Sequence, residues 1–158
     1  MSAQVEKLLQ LCRDKDLKLR TAESCTAGAI AAEIAAVSGA SDVLDRGWIT
    51  YSDSAKSEEL NVDPKLIIKH GAVSREVALK MAQGGSSESS ICVAVSGIAG
   101  PGGGSPEKPV GTVWVAVAGG NVKPSAIIHQ FAGDRSAVQR QTVAAAIDML
   151  IETLETSQ

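Results

Sequence analysis

The chain has 158 residues and a formal net charge of −3, with 15 Lys and Arg against 18 Asp and Glu. That balance leaves no basic excess for a broad nucleic-acid surface, and no apolar run approaches the ~20 residues that cross a bilayer. Hydrophobic residues make up 44% of the chain but aromatics only 3%, so the core of an ordinary single domain must be built from Ala, Val, Ile and Leu.

The cysteines Cys12, Cys25 and Cys92 are odd in number and form no CxxC pair. This argues against a disulfide framework or a Cys-rich zinc site and suits a reducing compartment. The N-terminus is charged and amphipathic, without the apolar segment of a signal peptide. A soluble, cytoplasmic protein is expected, with no membrane and no nucleic-acid partner.

Residues 3–14 carry Val5, Leu8, Leu9 and Cys12 at helical spacing. Residues 17–22 alternate and read as a short strand. The segment TAESCT follows, and then AGAIAAEIAAVSGAS has helical spacing with Gly39 as its stop. Residues 43–51 read as a strand with Trp48 and Tyr51 on opposite faces. Asp53 or Ser54 caps a short helix through Leu60, and Asp63-Pro64 opens another that ends at His70-Gly71. Ser74 caps a helix running to about Gln83, followed by a polar Gly/Ser connection.

SSICVAVSG reads as a buried central strand. Residues 98–109 form a long Gly/Pro-rich loop. Residues 110–118 are a β-branched strand, Gly119-Gly120-Asn121 a hairpin turn, and 126–131 the returning strand. Asp134 caps a last helix through about Leu154. This order predicts an α/β fold in one domain spanning 1–158, with helices on both faces of a mixed sheet.

Polar clusters fall at predicted strand ends, where open α/β sheets bind ligands. The loop from Ser96 to Ser105 matches neither GxGxxG nor GxxxxGK[ST], yet its glycines allow close backbone approach to an anion or a carbonyl oxygen. On composition alone it is a connection between strands. In TAESCT, Ser24 is either a nucleophile at a strand-to-helix turn or, with Thr26, a helix cap. Cys25 is the rival nucleophile, but a thiolate needs a base, and His70 and His129 are the only histidines.

Lys56 is either a desolvated base for a serine or a solvated helix residue beside Glu58 and Glu59. No His, Cys, Asp or Glu cluster has metal-ligand spacing, so neither metal nor cofactor is expected.

Taken together, TAESCTAG, GWITYSDSAK, HGAVS, VAVSGIAGPGGGSPEKPVGTVWVAV and FAGDR resemble the C-terminal domain of the competence/damage-inducible protein CinA, in this order and with these gaps. The resemblance runs from about Val5 to Leu154. It implies a three-layer α/β/α sandwich with a mixed central sheet and no metal. It implies hydrolysis of the carboxamide of nicotinamide mononucleotide to nicotinic acid mononucleotide and ammonia, in pyridine nucleotide salvage, and a homo-oligomer. The chain is too short to hold the additional N-terminal domain of the larger family members.

On matching positions the implied catalytic group is Ser24, Ser41, Tyr51 and Lys56. The chemistry assigns attack to Ser24, the proton to Lys56 and a relay to Ser41 or Tyr51. Glu23, Cys25, Thr26, Ser96, Gly97, Gly100, Gly102, Gly103 and Arg135 are expected to bind substrate. The phosphate would lie on the glycine loop, with Arg135 or Lys108 as counter-charge, and Glu23 would bond backbone or ribose. Where relatives often read CTGG, this chain has Ala27, which argues against a left-handed backbone there. A non-catalytic nucleotide-binding module linked to competence or DNA damage is the rival reading, and a Ser–Lys amidase on another small amide the third.

Overall fold

The computed structural model describes residues 1–157. Five strands form one mixed sheet: β1 (Lys18–Glu23), β2 (Leu44–Ile49), β3 (Ser90–Gly97), β4 (Thr112–Gly119) and β5 (Val122–Gln130), in the order β2-β1-β3-β4-β5. β1 runs parallel to both β2 and β3, while β3, β4 and β5 are antiparallel neighbours. The helices are α1 (Ser2–Asp14), α2 (Ala29–Ala35), α3 (Asp53–Leu60), α4 (Pro64–His70), α5 (Arg75–Gly85) and α6 (Arg135–Thr156), with a 3-10 turn at Ala40–Asp42. No helix among the described residues is long and apolar enough to cross a membrane.

The layers follow from the period-2 alternation of the inner strands. Ile91, Val93 and Val95 of β3 and Val113, Val115 and Val117 of β4 pack with α1, α2 and α6. Cys92, Ala94, Ala116 and Ala118 point the other way, toward α4 and α5. Branched side chains thus fill one side, and small ones let α5 lie close on the other. The three-layer α/β/α sandwich expected from the sequence is the fold observed.

Most expected elements are present, with shifted ends. α5 runs on through Gly84 and Gly85 rather than stopping near Gln83. A Cβ at Gly84 would fall 2.0 Å from the Leu60 carbonyl oxygen, and one at Gly85 2.7 Å from Cys92 Sγ. These glycines are packing positions at the end of a helix, not a loop. The β4–β5 turn is the expected one: Gly120 and Asn121 have φ of 59° and 62°, the paired positive φ of a two-residue hairpin.

Ser74 and Asp134 cap α5 and α6 as expected. Ser52, not Asp53 or Ser54, caps α3, accepting from the Ala55 N–H at 3.1 Å. β2 ends at Ile49, so Tyr51 lies beyond the strand rather than on a face of it.

Candidate active site

The parallel strands β1, β2 and β3 deliver their C-terminal ends to one edge of the sheet, and the N-terminus of α6 arrives at the same edge. A cleft of about 250 Å³ opens there, lined by Ser24 and Cys25 after β1, Tyr51, Asp53 and Lys56 after β2, Ala72 and Val73 before α5, residues 96–100 with Gly102 and Gly103 after β3, and Arg135 at the start of α6.

The turn after β1 is organised by Glu23. Its carboxylate is 1% exposed and accepts from Thr26 Oγ1 at 2.6 Å and from the N–H groups of Gly28, Ile30 and Ala31 at 3.2, 2.9 and 3.1 Å. It does the work of an N-cap from the end of the preceding strand, binding the free amides of the first turn of α2. Neither Ser24 nor Thr26 caps that helix, since its cap residue is Gly28, with no side-chain bond. Glu23 and Thr26 thus bond within the frame of the turn and do not line the cleft, and of the two roles expected for Glu23 the structure shows the backbone one.

Ala27 departs from expectation. Its φ is +48°, followed by Gly28 at +98°. The left-handed conformation costs an L-residue roughly 1–2 kcal/mol, and the bonds made by Glu23 on either side of Ala27 offset that strain.

Freed from capping, Ser24 faces Lys56. Lys56 Nζ lies 3.0 Å from Ser24 Oγ, 2.8 Å from the Thr50 carbonyl oxygen and 3.3 Å from that of Tyr51. The lysine is fully buried, not solvated beside Glu58 and Glu59. Burial pushes its pKa below the ordinary 10.5, against a smaller upward pull from the Asp53 carboxylate. A neutral amine can spend its two N–H bonds on the two carbonyls and point its lone pair at the Ser24 hydroxyl.

Cys25 is the poorer nucleophile. Burial foremost pushes its thiol up to about 11, and its carbonyl accepts from Gln139 Nε2 at 3.0 Å. It stays a thiol near neutral pH.

Arg135 spans two parts of the rim. Its Nη1 donates to the Gly100 carbonyl and its Nη2 to the Tyr51 hydroxyl, both at 2.7 Å. Tyr51 is thus half-exposed at the mouth, its hydroxyl tied to Arg135 rather than to Ser24 or Lys56. Ser96 lines the cleft but donates to the Ala72 carbonyl at 2.8 Å, which fixes the HGAVS segment as a wall. Lys108 is outside: its Nζ donates to the His70 carbonyl at 2.7 Å, so of these two cations Arg135 is the one that lines the cleft.

Ser41 does not reach the site. It is exposed in the 3-10 turn that precedes β2. Because β2 runs parallel to β1, the residues just before β2 lie at the sheet end opposite to those just after β1. About a strand's length, roughly 20 Å, separates them.

Sequence reasoning gave Asp53 no role in the site, although it lies in the polar cluster from Tyr51 to Lys56 that follows β2. It also missed the Thr50 carbonyl, which no side-chain pattern can reveal. Among the described residues, no three His, Cys, Asp or Glu side chains gather in a metal-binding arrangement.

Residues 1–154 match the family model described as the CinA C-terminal domain. The chain belongs to that family. It is 48% identical to the nicotinamide-nucleotide amidohydrolase PncC of Pseudomonas putida, over 85% of this chain and 85% of that one. It is 42% identical to the enzyme of the same name from Escherichia coli K12, over 92% and 89%.

A CinA-like protein of Akkermansia muciniphila is 47% identical over 87% of this chain, which spans only 34% of that longer relative. Among solved structures, a competence/damage inducible protein of Agrobacterium tumefaciens superposes with a TM-score of 0.88 at 38% identity, covering 98% of this chain and 95% of that one. The competence damage-inducible protein A of Klebsiella pneumoniae gives 0.91 at 32%, covering 99% and 98%.

Proposed function

We propose that this CinA-family chain hydrolyses the carboxamide of nicotinamide mononucleotide to nicotinic acid mononucleotide and ammonia, with Ser24 as nucleophile and Lys56 as its base. One observation carries the reading: a fully buried lysine amine 3.0 Å from a serine hydroxyl at the end of a central strand. The names of the two relatives matched over most of their length supply the substrate.

Neutral Lys56 takes the hydroxyl proton as Ser24 Oγ bonds to the carboxamide carbon. The carbonyl oxygen gains charge, and backbone N–H groups of the Cys25–Thr26 turn or of the 96–100 loop take it. Lys56 then returns the proton to the leaving nitrogen, and the C–N bond breaks to release ammonia. Water attacks the resulting acyl-serine, giving up its proton to Lys56. The carboxylate leaves and Ser24 regains its hydrogen.

Arg135 and the glycine loop meet the ribose phosphate. A module that only binds nucleotide has no use for an amine buried against a serine, which favours the hydrolase over the binding reading. The three cysteines are buried and free, which suits action in a reducing cytoplasm.

The test is ammonia release from nicotinamide mononucleotide by wild type and Ser24→Ala, with free nicotinamide as control. The expected loss in Ser24→Ala is on the order of 10³-fold or more, with binding retained. Near-normal turnover in that variant would remove Ser24 as nucleophile. No release by the wild type would return the chain to the binding reading.

A further inference from the structure

Of the side chains that line the cleft, Asp53 is the single acid. It is the first residue of α3, and the cap of that helix is already provided by Ser52. The Asp53 carboxylate is exposed and makes no hydrogen bond and no ion pair among the described residues. Three residues on, Lys56 feels its charge. On another element, Arg135 brings the cleft's fixed positive charge, held at Gly100 and Tyr51. The cleft therefore has a negative pole on α3 and a positive pole at the start of α6.

A substrate that fits both poles carries both charges. Free nicotinamide is a neutral pyridine near neutral pH. Attachment of ribose to the ring nitrogen makes a permanent pyridinium cation, and the phosphate adds the anion. With the carboxamide carbon at Ser24 Oγ, the aromatic ring joined to it lies inside the cleft that Asp53 lines. We propose that Asp53 is a specificity residue that selects a carboxamide on a cationic, N-substituted pyridinium over a neutral carboxamide of the same shape. This deepens, and rests on, the amidohydrolase reading of the same site. An acid in the first turn of a helix also favours the helix dipole, but that role does not distinguish one ligand from another.

The experiment compares nicotinamide mononucleotide with its 1,4-dihydro form, which keeps the ribose phosphate and the carboxamide but has no ring charge. Binding is measured by calorimetry in Ser24→Ala protein, so that turnover does not intrude, with Asp53 intact and as Asp53→Asn. The intact site should prefer the cation. Asp53→Asn should weaken the cation roughly five- to tenfold, as expected for one charge pair in a half-open cleft, and leave the dihydro form unchanged. Asp53→Glu, which keeps the charge, should keep the preference.

A preference that survives Asp53→Asn, or a loss that falls equally on both ligands, overturns the assignment. Ammonia release by protein with Ser24 intact keeps the two readings apart. Turnover with undiminished discrimination in Asp53→Asn sinks the role of Asp53 alone. A charge preference without turnover in the wild type sinks only the amidohydrolase. Failure of both ligands to bind sinks both.

Discussion

Two stretches of small residues line the same cleft and are built on opposite principles. The turn at the end of β1 buries Glu23, Ser24, Cys25 and Thr26 and is tied from within, by the four bonds that the Glu23 carboxylate accepts from Thr26, Gly28, Ile30 and Ala31. The glycine loop after β3 is exposed from Pro101 to Glu107. It is held mainly from without, by Arg135 at Gly100 and by Lys108 at His70, with one short turn of its own between Ser105 and Lys108. Bond-making groups must be fixed to within a fraction of an ångström, and the first stretch supplies that. In the proposed reading the second stretch meets the phosphate, which needs backbone that can approach closely and adjust.

The largest expected effect comes from removing the base that the rigid stretch faces. Lys56→Met should reduce ammonia release at least about 10³-fold while the protein stays folded, because the apolar stem is retained and a buried amine is replaced by a group with no desolvation penalty. Circular dichroism and turnover on one preparation check both halves. The pH profile gives the same residue a second test. Lys56 must be neutral to accept a proton, and burial holds its pKa below 10.5. Activity should therefore rise with pH along a limb whose midpoint lies below 10.5. A flat profile would disconnect the amine from the chemistry.

Glu23→Gln probes the frame rather than the bond-making atoms. The amide keeps one acceptor oxygen but turns an NH2 toward an amide donor that now bonds a carboxylate. The loss of charge-assisted bonds should cost about 2 kcal/mol, lowering Tm by roughly 4–8 °C. Turnover should fall with it, since Ser24 is the next residue. A variant as stable as wild type would show that the turn is held by packing instead.

The same contrast explains what could be read in advance. Local chemistry was legible: the Gly120-Asn121 turn, the caps Ser74 and Asp134, and the alternation that makes β3 and β4 central all act within a few residues. Ser24, Lys56 and Arg135 entered the site through family resemblance, since each has a bland local role that fits as well. Nothing around Lys56 in DSAKSEEL announces burial. That comes from α3 packing against α4 and α5 while Lys56 turns to Ser24 beyond the end of β1, a tertiary event. The positive φ of Ala27 runs against local preference and survives because Glu23, four residues earlier, takes up the neighbouring amides. Ser41 is the reverse case. Resemblance placed it in the site, whereas the parallel pairing of β1 with β2, once the strand order is known, puts it at the far end.

The smallest expected effect belongs to the outer tether of the glycine loop. Lys108 Nζ bonds the His70 carbonyl at 2.7 Å, where α4 gives way to the segment carrying Ala72 and Val73. One bond therefore joins two walls of the cleft without touching the space between them. Lys108→Met removes the bond and keeps most of the stem. A single hydrogen bond of about 1 kcal/mol corresponds to a roughly fivefold change in an equilibrium constant. Loss of the tether should appear as a rise in KM of at most that size, with kcat unchanged, because Ser24 and Lys56 are held by the other stretch. A fall in kcat instead would show that the loop supports the reacting atoms, and the division between a rigid chemical side and an adjustable binding side would have to be redrawn.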